Sequence, residues 1–313
     1  MTKPKKFPEQ EQELPGSEQA MDPQPEIVRS GYTGSDKLKN KVALITGGDS
    51  GIGRSVAVHF AIEGASVAII YKSETEDALD TKKLVEEQGQ TCLLIEGDVR
   101  DADFCKEAVA QTRAELGHIH ILVNNAAVQF PKDHVSEIED DQLATTFETN
   151  IYPYFFFAKA LENQFKSGDC VINSTSVTAY RGSSHLLDYS STKGAITTFT
   201  RSLSKMWAPK NIRVNGVAPG PIWTPLIPAT FDDVSDFGQD VPLGRAGQPS
   251  EVAPAYVFLA SAILGRATRF FVVATLLKRY GETIKSFIET YLGWLFLFFM
   301  ALIVVGTLGL DFL

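Results

Sequence analysis

Cysteine is scarce in this chain, a basic stripe is missing, and no apolar leader opens it. Its 313 residues include three cysteines, Cys92, Cys105 and Cys170, at no metal-like spacing. So sparse and odd a set excludes a disulfide framework and reads as reduced thiols. Histidine is also thin, with five residues. His118 and His120 alternate at a strand entry without an evident Cys or carboxylate partner, so they read as structural and no metal is expected. Acidic residues outnumber basic ones, 38 to 29, for a net charge of -9. No basic stripe runs through the chain, which sets nucleic-acid binding aside. Met1-Thr2-Lys3-Pro4-Lys5-Lys6 is basic, but no apolar region follows it, so a secretory signal peptide is not expected. No internal repeat is visible.

What the chain does contain is alternation. Residues 1–37 are rich in Pro, Gln, Glu and Lys and nearly free of large apolar groups. Such a segment cannot bury enough surface to offset its ordering entropy. It is expected to be a flexible polar arm, with wrapping around a neighbouring subunit as the alternative. From Lys41 onward, strands are predicted near 42–46, 67–71, 91–96, 120–124, 169–174 and 212–217. Helices are predicted near 51–63, 75–89, 101–115, 139–165, 188–208 and 249–261. This order implies an α/β fold, a doubly wound parallel sheet of Rossmann type with right-handed crossovers, over residues 38–262. The Pro-, Gly- and Asp-rich segment 221–246 breaks the pattern and reads as a lid after the last crevice strand.

Three features carry chemistry. Val42-Ala43-Leu44-Ile45 is a buried-strand run that enters Thr46-Gly47-Gly48-Asp49-Ser50-Gly51-Ile52-Gly53-Arg54 and then an alanine-rich helix. Strand, glycine turn and helix in that order make a phosphate cradle. Cys170-Val171-Ile172-Asn173 is a second such strand, and it ends at Ser174-Thr175-Ser176. A hydroxyl there points into the crevice where parallel sheets bind ligands. Tyr189 and Lys193 stand four apart at the start of a helix, hence on one face. An ammonium beside a phenol favours the phenolate and brings its proton transfer towards neutral pH.

Together these residues resemble the short-chain dehydrogenase/reductase family. Asp98-Val99, Asn124-Asn125-Ala126-Ala127, Asn150 and Pro219-Gly220-Pro221-Ile222-Trp223-Thr224 match its further landmarks in order. The resemblance covers about 38–261. Thr178-Ala179-Tyr180-Arg181-Gly182 and Ile222-Trp223-Thr224-Pro225-Leu226-Ile227-Pro228 are similar to the bacterial general-stress-type subgroup. It implies hydride transfer between a nicotinamide ring and a carbonyl or alcohol carbon. Tyr189 would then be the acid or base and also contact the cofactor, Ser176 would bind the substrate oxygen, Lys193 would lower the tyrosine pKa and hold the nicotinamide ribose, and Asn150 would anchor a proton-relay water. Ser174 would only support its strand end. For the cofactor, Gly47, Gly51, Ile52 and Gly53 would cradle the diphosphate, Asp98 and Val99 would meet adenine, Asn125 its ribose, and Thr224 the nicotinamide end. NAD-dependent members tend to place an acid at the end of the second strand. Here stands Tyr71-Lys72-Ser73. Lys72 or Arg54 could attract a 2'-phosphate, so NADP is favoured, and Glu74 keeps NAD open. Ile222, Trp223, Leu226 and Phe231 suggest an apolar substrate wall, and His185 is a further substrate-contact candidate. The Phe155-Phe156-Phe157 region reads as core or subunit interface, and a homo-oligomer, a dimer, is expected.

The tail departs from the family. Its expected final strand is missing, and residues 263–290 form a basic amphipathic stretch. Tyr291 to Leu310 then runs twenty residues without a charge, enough for a helix to span about 30 Å of bilayer. A C-terminal transmembrane helix at 291–310 is therefore expected, weakly resembling the end of DedA-like membrane proteins. The basic residues before it would place the catalytic domain in the cytoplasm on a single-pass anchor. Alternatives are a non-catalytic nucleotide-binding membrane module and an inactive fusion product.

Overall fold

The computed structural model describes residues 6–261. They belong to one compact unit, which ends at Ser261. Six parallel strands form one sheet: β1 (Val42–Thr46), β2 (Ser66–Tyr71), β3 (Cys92–Glu96), β4 (Ile121–Asn124), β5 (Cys170–Ser174) and β6 (Arg213–Val217). Their order is β3-β2-β1-β4-β5-β6. In register, Ile45 pairs with Ile69 of β2 and Val123 of β4. Every residue of β1, β4 and β5 is buried, as a strand covered on both faces requires. These apolar runs are what make the alternation of strands and helices legible in the sequence.

Among the described residues, eight α-helices cover the sheet: α1 (Gly51–Ile62), α2 (Thr75–Glu86), α3 (Ala102–Leu116), α4 (Asp140–Asn150), α5 (Tyr152–Leu161), α6 (Thr178–Arg181), α7 (Leu187–Trp207) and α8 (Pro249–Ser261). One cluster joins Val56 and Phe60 of α1 to Tyr256 and Val257 of α8. A second joins Val109 of α3 to Phe157 of α5 and Trp207 of α7. Each such buried side chain contributes roughly 1.5–3 kcal/mol. The helix expected at 139–165 is broken at Ile151, whose φ of -128° leaves the helical region. Pro153 then sits in the first turn of α5, where a missing N–H is harmless. The carboxylate of Asp101 starts α3 by accepting from the backbone N–H groups of Asp103 and Phe104. Cys92, Cys105 and Cys170 are all free and buried. Burial pushes their thiols up to about 12, 12 and 11 in that order.

Two expectations need revision. The described part of the polar arm, residues 6–37, has no helix or strand, yet it is packed rather than loose. Phe7 and Met21 are 4 % exposed and Glu18 3 %. Its few apolar groups and one carboxylate find partners on the body, which composition could not reveal. The expected transmembrane helix is corrected: no described helix is long and apolar enough to cross a membrane. Residues 263–290 and 291–310 lie outside the described residues, as does the region of the family's final strand. The membrane partner, the anchor and the placement drawn from them are dropped. Among the described residues β6 is one edge strand of the sheet and β3 the other.

Candidate active site

A cleft of about 840 Å³ opens along the carboxyl ends of the strands. It lies where the strand order reverses between β1 and β4, the place at which open α/β sheets bind ligands. Ser176 follows β5, and α7 runs back past it carrying Tyr189 and Lys193. All three line the cleft. Two bonds fix α7 against the end of β5. Thr175 Oγ1 donates to the Lys193 carbonyl at 2.9 Å, and Lys193 Nζ donates to the Ser174 carbonyl at 3.0 Å. Ser176 Oγ accepts from the N–H and hydroxyl of Thr178 at 3.1 and 3.0 Å, which leaves its own proton to donate into the cleft. The Ser176 hydrogen bond favours the phenolate.

The electrostatics differ from the sequence expectation. Burial pushes the Tyr189 phenol up to about 12, and the Ser176 bond only partly opposes it. Burial also brings Lys193 down to about 7. The ammonium lies 5.2 Å from the centroid of the tyrosine ring and spends a donor on the Ser174 carbonyl. In this arrangement desolvation outweighs the attraction between phenolate and ammonium.

Asn150 is fully buried and does not line the cleft. Its Oδ1 accepts from Val128 N at 2.8 Å, and its Nδ2 donates to the Val128 carbonyl and to Thr192 Oγ1. The side chain thus ties the loop after β4 to α7. Ser174 Oγ donates to Asn125 Oδ1 at 3.1 Å and shares a 2.6 Å bond with the Tyr256 hydroxyl. His185 is exposed and 2.8 Å from an Asp133 oxygen, away from the cleft lining. His118 pairs with Asp169 at 2.7 Å, and His120 Nδ1 accepts from Val42 N.

On the opposite side, Gly47, Gly51, Ile52, Tyr71, Lys72, Asp98, Val99, Asn125 and Thr224 line the same cleft. Gly53 does not. A Cβ there would lie 1.8 Å from the Gly47 carbonyl oxygen, so only glycine lets α1 start this close to the turn. That close approach is what a bound diphosphate needs, and the residues present fit a dinucleotide. Asn125 Nδ2 braces the turn by donating to the Gly47 carbonyl at 3.0 Å. Lys72 reaches to 3.6 Å from an Asp98 oxygen. Arg54 does not face the cleft, because its guanidinium pairs with Glu18 at 2.6 Å and Asp77 at 3.1 Å. Ile222, Leu226 and Phe231 line the cleft as expected. Trp223 is instead buried, packed with Phe7, Met21 and Ile227. Sequence reasoning missed Gln129, whose Nε2 donates to Thr230 Oγ1 of the lid at 2.9 Å, and missed Glu18 altogether.

Residues 47–268 match the family model described as Enoyl-(Acyl carrier protein) reductase. General stress protein 39 of Bacillus subtilis (strain 168) is 54% identical over 261 residues, covering 82% of this chain and 91% of its own. Glucose and ribitol dehydrogenase of Daucus carota is 49% identical over the same shares of the two chains. Among solved structures, a short chain dehydrogenase from Burkholderia cenocepacia in complex with NADP is 27% identical, with TM-score 0.66, over 72% of this chain and 91% of that one. The 3-ketoacyl-(acyl-carrier-protein) reductase from Brucella melitensis, complexed with NADH, is 30% identical with TM-score 0.66, over 73% and 95%. The chain belongs to the short-chain dehydrogenase/reductase family. It is an NAD(P)-dependent oxidoreductase that acts on carbonyl and alcohol groups.

Proposed function

We propose that Tyr189 passes the proton, Ser176 orients the substrate oxygen, and Lys193 serves the tyrosine from beneath. The observation that carries this reading is the meeting of Ser176, Tyr189 and Lys193 on one cleft, with the buried lysine 5.2 Å from the centroid of the tyrosine ring. Bound NAD(P) supplies or accepts the hydride. A carbonyl oxygen between the two hydroxyls meets two donors, which stabilise the charge that develops on it. Tyr189 releases its proton to that oxygen in reduction and recovers it in oxidation. Asn150 acts by positioning: it holds the loop after β4 against α7.

Gly47, Gly51, Ile52, Asp98, Val99, Asn125 and Thr224 are assigned to the dinucleotide by their place on the cleft. Tyr71 and Lys72 stand at the end of β2, where the adenine ribose would lie. With Arg54 turned inward, the preference for NADP rests on Lys72, whose side chain is 60% exposed. The substrate pocket mixes Phe130 and Phe231 with Gln129, Ser183 and Asp233. This lining, with the sugar alcohol in the name of the Daucus carota relative, supports a small aldehyde or polyol substrate. Leu143, Tyr152, Phe155 and Met206 leave apolar surface exposed on α4, α5 and α7, which supports a homodimer through those helices.

The test is an absorbance assay with NADPH and NADH over a panel of small aldehydes and polyols. Tyr189→Phe should lower kcat by about 10²–10⁴-fold without changing the affinity for NADPH. Undiminished turnover in that variant would remove the mechanism, and a higher kcat/KM with NADH would remove the NADP preference.

A further inference from the structure

The N-terminal segment touches both halves of the cleft, and no feature of the proposed reaction uses it. Its first part lies along the lid. The Phe7 ring stacks on Trp223 with centroids 3.7 Å apart and planes 11° from parallel. Phe7 N donates to the Ser235 carbonyl at 3.1 Å, and Gln12 N to the Pro228 carbonyl at 2.9 Å. Trp223 Nε1 donates back to the Pro23 carbonyl at 2.8 Å. Gly16 passes so near that a Cβ would sit 2.7 Å from the Pro225 carbonyl oxygen, and its φ of +80° favours glycine as well. Leu14 and Pro15 form part of the cleft wall.

Its second part grips the phosphate-binding turn. Glu18 Oε2 accepts the Gly51 N–H at 2.6 Å, and Oε1 accepts from Arg54 at 2.6 Å. Glu18 N donates to Asp77 Oδ2 at 2.7 Å. Further on, Glu26 N donates to Gln248 Oε1 at 2.8 Å, just past the lid. One covalent run of about twenty residues therefore connects the lid to the turn through buried contacts at each end. The lid itself crosses the cleft, held at Thr230 by Gln129.

We propose that residues 7–26 are an intramolecular strap that keeps the lid 221–246 closed over the cleft, with Phe7 and Gly16 as positioning residues for the oxidoreductase reaction. The Phe7–Trp223 stack and the backbone bonds prepay the ordering of the lid, which an unstrapped lid would have to meet on each substrate encounter. Glu18 ties that order to the turn where the dinucleotide binds. The inference rests on the lid's place in the proposed active site, and one of its readouts requires no turnover.

Two variants of the full chain test it. Phe7→Ala removes the stack, and Gly16→Ala drives a methyl against the Pro225 carbonyl. Hydrogen exchange of the 223–237 amides should accelerate in both variants, while β1, β4 and β5 keep their native protection. If the closed fraction falls to about one tenth, the KM for the aldehyde should rise about tenfold, with kcat within about twofold. Phe7→Tyr keeps an aromatic ring and should restore both values. Native exchange across 223–237 in either folded variant overturns the strap, and so does faster exchange with an unmoved KM. Loss of turnover in Tyr189→Phe together with native lid exchange in Phe7→Ala would sink the strap and leave the catalytic reading standing.

Discussion

Lys193 is the residue on which burial acts most consequentially. It is 2 % exposed, and desolvation lowers it to about 7 from an ordinary 10.5. The sign follows by linkage. Between those two values the unfolded chain holds a proton that the folded chain does not, so raising the pH favours folding. Native protein should therefore gain thermal stability relative to Lys193→Met as pH rises from 7 to 9 without cofactor. Melting curves at the two pH values check this. A difference that stays constant would mean Lys193 is charged in the folded state. Tyr189 shows the limit of reading charge from spacing: four residues apart on one face was correct for α7. Spacing could not show that the ammonium turns to the Ser174 carbonyl or that the pocket is dry enough to push the phenol up to about 12.

At the level of elements, local chemistry has local consequences. Asp101 caps α3 with two backbone N–H groups, and Asp101→Ala should cost about 1 kcal/mol. A urea titration should show a lower midpoint with an unchanged slope. The glycine turn and the three apolar strands β1, β4 and β5 were legible because a strand buried on both faces must be apolar throughout. The crevice residues Ser176 and Asn125 were legible because strand ends in such a sheet face a common cleft. Short α6 was not legible. Four residues carry no measurable periodicity, and Thr178 begins the turn by bonding to Ser176, a contact set by tertiary position. The break at Ile151 was missed because Phe147 to Phe157 reads as one continuous helix until Pro153 is given its place in a first turn. Trp223 was misread as pocket wall because nothing local says which face of the lid meets Phe7.

Among the described residues of the molecule, the largest departure from sequence expectation lies in the N-terminal segment. Its polar composition gave no signal for packing, because the contacts are few and distant: Glu18 with Arg54, Phe7 with Trp223, Glu26 with Gln248. Arg54 illustrates the effect on function. Read alone, it was a candidate for a 2'-phosphate. In the fold, Glu18 and Asp77 satisfy it inside the protein, and Lys72 lines that end of the cleft instead. The unit that carries the chemistry is thus the sheet, its helices and the strap together.

The three sealed thiols turn this architecture into its own gauge. Cys92, Cys105 and Cys170 sit in β3, α3 and β5, so a thiol reagent such as DTNB can reach them only when the sheet opens. Modification should follow one rate for all three, set by the opening equilibrium, and saturating NADPH at about 100 times its Kd should slow it about a hundredfold. A fast-reacting sulfur in the native protein would reveal that one edge breathes independently of the rest.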